Sequence, residues 1–316
     1  MKIIVYSAFI LAGAGLQFTG LLLLNKSRKT LLQSIGWNNS FVPIAVSLLT
    51  GILTPVCSSL YAFYTVQPET APAMMTGFII AAILFVLGLI ALLHPFKMRR
   101  AFIKFEISIA FLMMVIFHVF GIEGKLNKWS GGVFVFFALY FLFLHFLKNR
   151  NSQKTHSRNN VLTEKKGFAL LLFFVSVMIA VAGSLIVVYS SLKFSQSTGI
   201  SFSIFSFIII PIILLIPYFS SLLMAVKNDE DLNLEMERFL QGGLLSFLIV
   251  IGYVALANAV ELTSIYYRFN NFILIGSFVL LTLFLIPLLK LSRFKGMVLV
   301  FIYLLFVVNS VLKIVC

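Results

Sequence analysis

The chain has 316 residues, 61% of them hydrophobic and 11% charged, with a formal net charge of +14. Apolar runs of membrane length recur from end to end, which excludes a soluble globular domain and describes a polytopic membrane protein. The basic excess follows the loops, so it reads as a topology signal rather than a nucleic-acid surface.

Ten spans are predicted, over 3–24, 41–65, 73–94, 101–121, 130–148, 167–191, 202–226, 238–258, 269–290 and 296–315. The first is expected to stay as a helix, because Asn25-Lys26-Ser27-Arg28-Lys29 follows it where a cleavage site would need small residues. The loops 1/2, 3/4, 5/6, 7/8 and 9/10, with their flanking turns, carry 18 of the 24 Lys and Arg. That face is therefore expected to be cytoplasmic, with both termini outside the cell membrane. Cys57 and Cys316 lie in or at the end of apolar segments and imply neither a disulfide framework nor a metal cluster.

Two spans carry a proline near mid-depth: Pro55-Val56-Cys57-Ser58-Ser59-Leu60 in the second and Pro217-Tyr218-Phe219-Ser220-Ser221-Leu222 in the seventh. Proline removes one helical hydrogen bond and clashes with the carbonyl four residues back, so each helix is expected to kink or break. The two serines after each proline are suitable donors for the freed carbonyls. Interrupted helices at matching positions of two halves point to a transporter's binding site, and the plainer alternative is a pair of kinked structural helices.

The halves match beyond the prolines. Gly20 and Gly183 each precede a second glycine, Gly36 and Gly199, and Gln33-Ser34 recurs as Gln196-Ser197. Val86-x-Gly88-x-x-Ala91-Leu92 reappears as Val250-x-Gly252-x-x-Ala255-Leu256, and residues 126–140 align without gaps on 291–305. Five spans is an odd number, so the second copy enters from the opposite side. The expected fold is all-α and integral to the membrane, with two inverted five-helix repeats over 1–148 and 167–316. Residues 149–166 between them are too polar to bury a core and read as a flexible cytoplasmic linker.

On these features the chain resembles the calcium/cation antiporter superfamily, the sodium/calcium exchangers. Gly183 to Ser201 is similar to that family's approach to its second alpha motif, and Leu291-x-Arg293-x-x-Gly296 to the stretch before its last helix. The resemblance implies inverted five-helix repeats, a cytoplasmic linker, and an ion site where helices 2 and 7 meet. Its motif is of the type G-T-S-x-P-E-L, with G-N-x-x-G-S-N in the following helix. Aligned on Pro55, the Thr, Ser and Glu fall on Ile52, Leu53 and Val56; aligned on Pro217, they fall on Leu214, Leu215 and Tyr218. The second motif falls on 74–80 and 236–242. Calcium needs six to eight oxygen ligands, carboxylates normally among them, so the fold is expected without the family's calcium chemistry.

The polar groups left near the prolines are Thr54, Ser58, Ser59, Tyr218, Ser220 and Ser221, the expected substrate-binding residues. Glu106 is the most membrane-embedded carboxylate, read as either a functional group or one snorkelling with Lys104 or Arg100. Asn228-Asp229-Glu230-Asp231 reads as a solvated face, and Glu235 and Glu237 as favouring a helix N-terminus. His118 and His145 lie in apolar spans, as packing residues or as a proton relay. No nucleophile elbow, phosphate loop or metal-spaced histidine pair occurs, so neither an enzyme nor a cofactor is expected.

Two functions fit: a secondary transporter with altered substrate or coupling, acting on a small cation or a proton, or an accessory membrane protein that keeps the fold. A third, another five-plus-five transporter of the drug/metabolite type, fits the proline helices and the basic central loop less well. The partner in each case is the lipid bilayer.

Overall fold

The computed structural model describes residues 2–35, 41–152, 166–227, 232–258, 260–262, 265–286 and 289–315. Gly36, the acidic run 228–231, most of the predicted linker (153–165, with His156) and Cys316 lie outside them, as does the side chain of His145.

Ten helical rods run through the described residues: α1 Lys2–Ile35, α2 Phe41–Thr65, α3 Thr70–Leu93, α4 Phe102–Ile122 and α5 Lys128–Ser152 form the first half. The second is α6 Lys166–Thr198, α7 Phe202–Lys227, α8 Leu232–Ala257, α9 Ile265–Leu285 and α10 Arg293–Val315. Each matches one predicted span, although α1 and α6 run several residues beyond theirs. Among the described residues, seven helices are by themselves long and apolar enough to cross a bilayer. Large apolar side chains face outward along the outer helices, among them Leu11, Phe143, Met178 and Leu304. In hydrocarbon such faces carry no penalty, and a helix pairs its backbone groups internally wherever no proline intervenes.

The inverted symmetry is visible in which backbones touch. α1 packs along α6 so closely that a Cβ on Gly20 would lie 2.4 Å from Ala180 N, and one on Gly183 would lie 2.3 Å from Gln17 N. These are the same contact written twice, since 17 and 20 in the first half correspond to 180 and 183 in the second. Likewise α3 meets α10 at Gly88 and Gly296, and α8 meets α5 at Gly252 and Gly131. Small residues let transmembrane helices approach where dispersion contacts, not the hydrophobic effect, hold them together.

Short strands close each end in the same paired fashion. β1 (Phe96–Lys97) pairs antiparallel with β4 (Lys290–Leu291), and β2 (Lys125–Leu126) pairs antiparallel with β3 (Val260–Glu261). α3 and α8 form the centre, buried along nearly their whole length, with α2 and α7 packed across them.

The prolines do not break their helices: α2 is continuous through Pro55 and α7 through Pro217. The irregularities lie elsewhere, in π-helical turns at Ala81–Val86 of α3, Phe102–Ile107 of α4 and Phe205–Ile209 of α7. Each π-turn inserts a residue and rotates the face that follows, a change no hydrophobic periodicity encodes.

Candidate functional site

α2 and α7 meet at the centre through one tyrosine. Pro55 lacks an N–H, so the carbonyl four residues back, that of Gly51, loses its helical partner. The Tyr218 hydroxyl, from the other repeat, donates to that Gly51 oxygen at 3.2 Å. With its proton so placed, Tyr218 accepts from Thr54 Oγ1 at 2.8 Å. The ring is wedged between Phe78 of α3 and Phe239 of α8, with centroids 6.4 and 5.8 Å away. Gly51 also makes room for α8, since a Cβ on Gly242 would lie 3.2 Å from Gly51 Cα.

The serines behave differently from expectation. Ser58 donates back to the carbonyls of Thr54 (2.7 Å) and Pro55 (3.1 Å), and Ser220 donates to that of Pro217 (2.8 Å). Both hydroxyls are satisfied within their own helix, because three- and four-residue spacing puts a carbonyl within reach of any helical serine. Neither repairs the carbonyl that Pro55 frees. Ser59 is fully buried without a hydrogen-bond partner. Ser221 accepts from Asn25 Nδ2 of α1 at 3.0 Å. The structure thus joins Thr54 to Tyr218 and leaves the four serines dispersed around them.

α1 contributes two polar residues that the proline motif does not suggest. Gln17 is fully buried and donates from Nε2 to the Leu214 carbonyl at 3.3 Å, three residues before Pro217. Asn25 reaches Ser221 one turn beyond that proline. An amide inside an apolar run was the available signal for Gln17, but its target could not be read without the α1–α7 packing.

Two cavities lie along α2 and α7, one where α2 ends and α7 begins and the other at the crossing itself. One is a cavity of about 480 Å³ lined by polar groups that include Gln67, Glu69, Ser195, Gln196 and Ser206. The other, of about 50 Å³, lies between α1, α7 and α8 and reaches Gly51 and Tyr218. Thr65 of the first and Gly51 of the second are 14 residues apart on α2, or roughly 20 Å at 1.5 Å per helical residue.

The buried carboxylates sit away from this crossing, on the side of α8 that faces α4 and β1. Glu237 is fully buried and accepts from the Arg99 backbone N–H at 2.9 Å, from its Nε at 2.6 Å and from Nη2. Glu106, in the π-turn of α4, accepts from Gln241 Nε2. Glu106 is therefore bound into the protein interior rather than snorkelling to the headgroups. Among the described residues, no three acidic, His or Cys side chains come close enough together to hold a metal ion. His118 packs edge-on against Phe272 of α9, at 4.7 Å between ring centroids.

Ten membrane-embedded helices in two inverted halves, with proline helices crossing at the centre, define an inverted-repeat membrane transporter fold. The family model described as sodium/calcium exchanger protein matches residues 4–148 and again 168–312, and the chain belongs to that family. No curated protein matches the sequence. Among solved structures, the crystal structure of the H+/Ca2+ exchanger CAX superposes with a TM-score of 0.74 at 14% identity, over 95% of this chain and 81% of that one. The sodium-calcium exchanger NCX_Mj, soaked with 10 mM Na+ and no Ca2+, gives 0.70 at 19% identity, over 96% and 98%. At such identities the likeness is one of fold, and the family is that of exchangers, which are not enzymes.

Proposed function

We propose that this chain is a secondary transporter of the exchanger family whose substrate or coupling differs from sodium-for-calcium exchange. The carrying observation is Tyr218: its hydroxyl, bonded to Thr54 and the Gly51 carbonyl, fills the α2–α7 crossing where the resemblance would put a carboxylate. Ile52, Leu214 and Leu215, the other aligned ligand positions that are buried, add no side-chain oxygen. A divalent cation stripped of water there would lack the ligands to replace its hydration shell.

In this reading the repeats rock about the crossing and expose it alternately to the two sides of the membrane, as inverted repeats permit. Tyr218 is the gate: a small cation or proton passes only after the Thr54–Tyr218–Gly51 bridge opens. Thr54, Ser58, Ser59, Tyr218, Ser220, Ser221 and the proline-freed carbonyls supply the polar contacts. Residues 1–148 and 167–316 act as the two repeats, joined by a cytoplasmic linker at 149–166, in the cell membrane with both termini outside.

Flux in proteoliposomes of the purified chain, over several cations and a proton gradient, tests this. Replacing Ser58, Ser59, Ser220 and Ser221 together by Ala should abolish flux while membrane insertion is kept. Sodium-driven calcium uptake by the unmodified protein would overturn the altered-substrate reading. A second reading, an accessory protein that keeps the fold, is favoured by the closed crossing and by Ser58 and Ser220 bonding only within their own helices. A folded protein that moves no ion under any gradient would decide for it.

A further inference from the structure

The small cavity between α1, α7 and α8 carries a charge pattern that the central crossing does not explain. Its lining includes Asn25, Arg28, Ser221, Glu235 and Arg238 beside Gly51 and Tyr218. Arg28 is only 8% exposed, although a buried charge is costly unless paired. Among the described residues its partner is a long contact from Nη2 to Glu235 Oε1 at 3.4 Å, and the buried Nε–H has no acceptor. Glu235 Oε1 is also held by Arg238 Nη1, at 2.5 Å. Among the described residues, one carboxylate is thus shared by two guanidinium groups, and their part of the lining keeps one positive charge in excess.

The remaining polar groups suit the same ligand. Ser221 accepts from Asn25, which leaves its own hydroxyl proton to donate. The cavity lies beside the first turn of α8, where the backbone dipole favours negative charge. A volume of about 50 Å³ holds a compact ion but not an extended solute.

We propose that this cavity binds a small anion, of the size and hardness of chloride or a single phosphate group, held by Arg28 Nε with Ser221 and Arg238. The anion offsets the excess charge beside the crossing and locks α1 against α8. Because it rests on the cavity's own side chains, the site stands whether or not the chain transports, and it can be tested without a flux assay.

The full chain, purified in uncharged detergent, is titrated with sodium chloride against sodium gluconate at constant ionic strength, reading the thermal midpoint. Chloride should raise the midpoint saturably and gluconate, too large for the cavity, should not. Arg28→Gln should weaken the half-saturating chloride concentration by on the order of tenfold or more, as expected for losing one close charge-assisted contact. Glu235→Gln is the decisive arm: it removes a competing negative charge and should tighten chloride binding, on the order of tenfold. A merely structural ion-pair cluster would instead lose stability at every chloride concentration, with no gain in chloride response.

Vesicles of phosphatidylglycerol compared with phosphatidylcholine distinguish a lipid phosphate from a free ion. Stabilisation by the anionic lipid that needs Arg28 and competes with chloride assigns the headgroup as the source. Equal midpoints in chloride, gluconate and both lipids, or a chloride response that Arg28→Gln and Glu235→Gln leave unchanged, would overturn the site.

Discussion

Tyr218 shows how one side chain can serve two helices. Its hydroxyl completes the carbonyl that Pro55 leaves open in α2, while its own helix carries the matching proline one residue earlier. Tyr218→Phe should destabilise the fold by about 1–3 kcal/mol, the sum of two modest interhelical bonds and one stranded buried carbonyl. Thr54→Val alone should cost less, because the Gly51 carbonyl keeps its donor. Unfolding in mixed micelles for both single variants and the double would test this, and additive losses would show that the two groups are not coupled. Away from the crossing, Glu237 has no exposed surface while Arg99 is half exposed. Arg99→Ala keeps the backbone N–H bond but leaves a buried carboxylate without its counter-charge and should cost on the order of 3 kcal/mol, whereas Glu237→Gln, which keeps a hydrogen-bond acceptor, should cost less. An equal loss from both substitutions, measured the same way, would count against a stranded charge.

At the scale of helices, the crossings are set by where side chains are missing. A Cβ on Gly77 would lie 2.1 Å from the Phe207 carbonyl oxygen, so α3 and α7 touch backbone to backbone there. Gly77→Ala must push α7 off its π-turn and should cost about 3 kcal/mol or more, since backbone cannot yield as a side chain can. Gly132→Ala, where nothing lies within 4 Å, is the control and should be neutral. Comparable thermal midpoints for the two variants would show that α3 and α7 are not held this closely. These crossings also explain what was legible beforehand. Span number, order and the repeat were readable because apolar length and glycine spacing are properties of the chain itself. The continuity of α2 and α7 was not, because the partner for the Gly51 carbonyl comes from 167 residues away. For the same reason the sequence does not assign Gln17 or Asn25: a polar residue within or just after an apolar run says that a partner exists, not which one. Proximity to the prolines points to Thr54 and Tyr218 and equally to the serines, and only tertiary packing separates bridging groups from those that bond at home.

For the whole molecule, direction in the membrane reduces to charge on two faces. Arg28 of α1, residues 97–100, the start of α8 at 235–238 and residues 290–295 lie together, tied by Arg28 to Glu235, by Arg99 to Glu237, and by β1 to β4. The opposite ends gather Lys125 and Glu261, joined at 3.2 Å, with the paired strands β2 and β3. Lys and Arg are concentrated on the first set, and positive residues are retained on the cytoplasmic side during insertion. A reporter fused at residue 155 should therefore be active only when cytoplasmic markers are, and one at the C-terminus only when external markers are. The number of helices between them is five, so the two reporters must disagree whatever the absolute orientation. Agreement would break the inverted repeat itself, while a consistent swap would keep the fold and reverse only the direction. In that second case the cavity at Arg28 would face outside, and chloride added externally to sealed vesicles, rather than internally, would stabilise the protein. The pair of reporters thus fixes both the architecture and the side from which the anion cavity is filled.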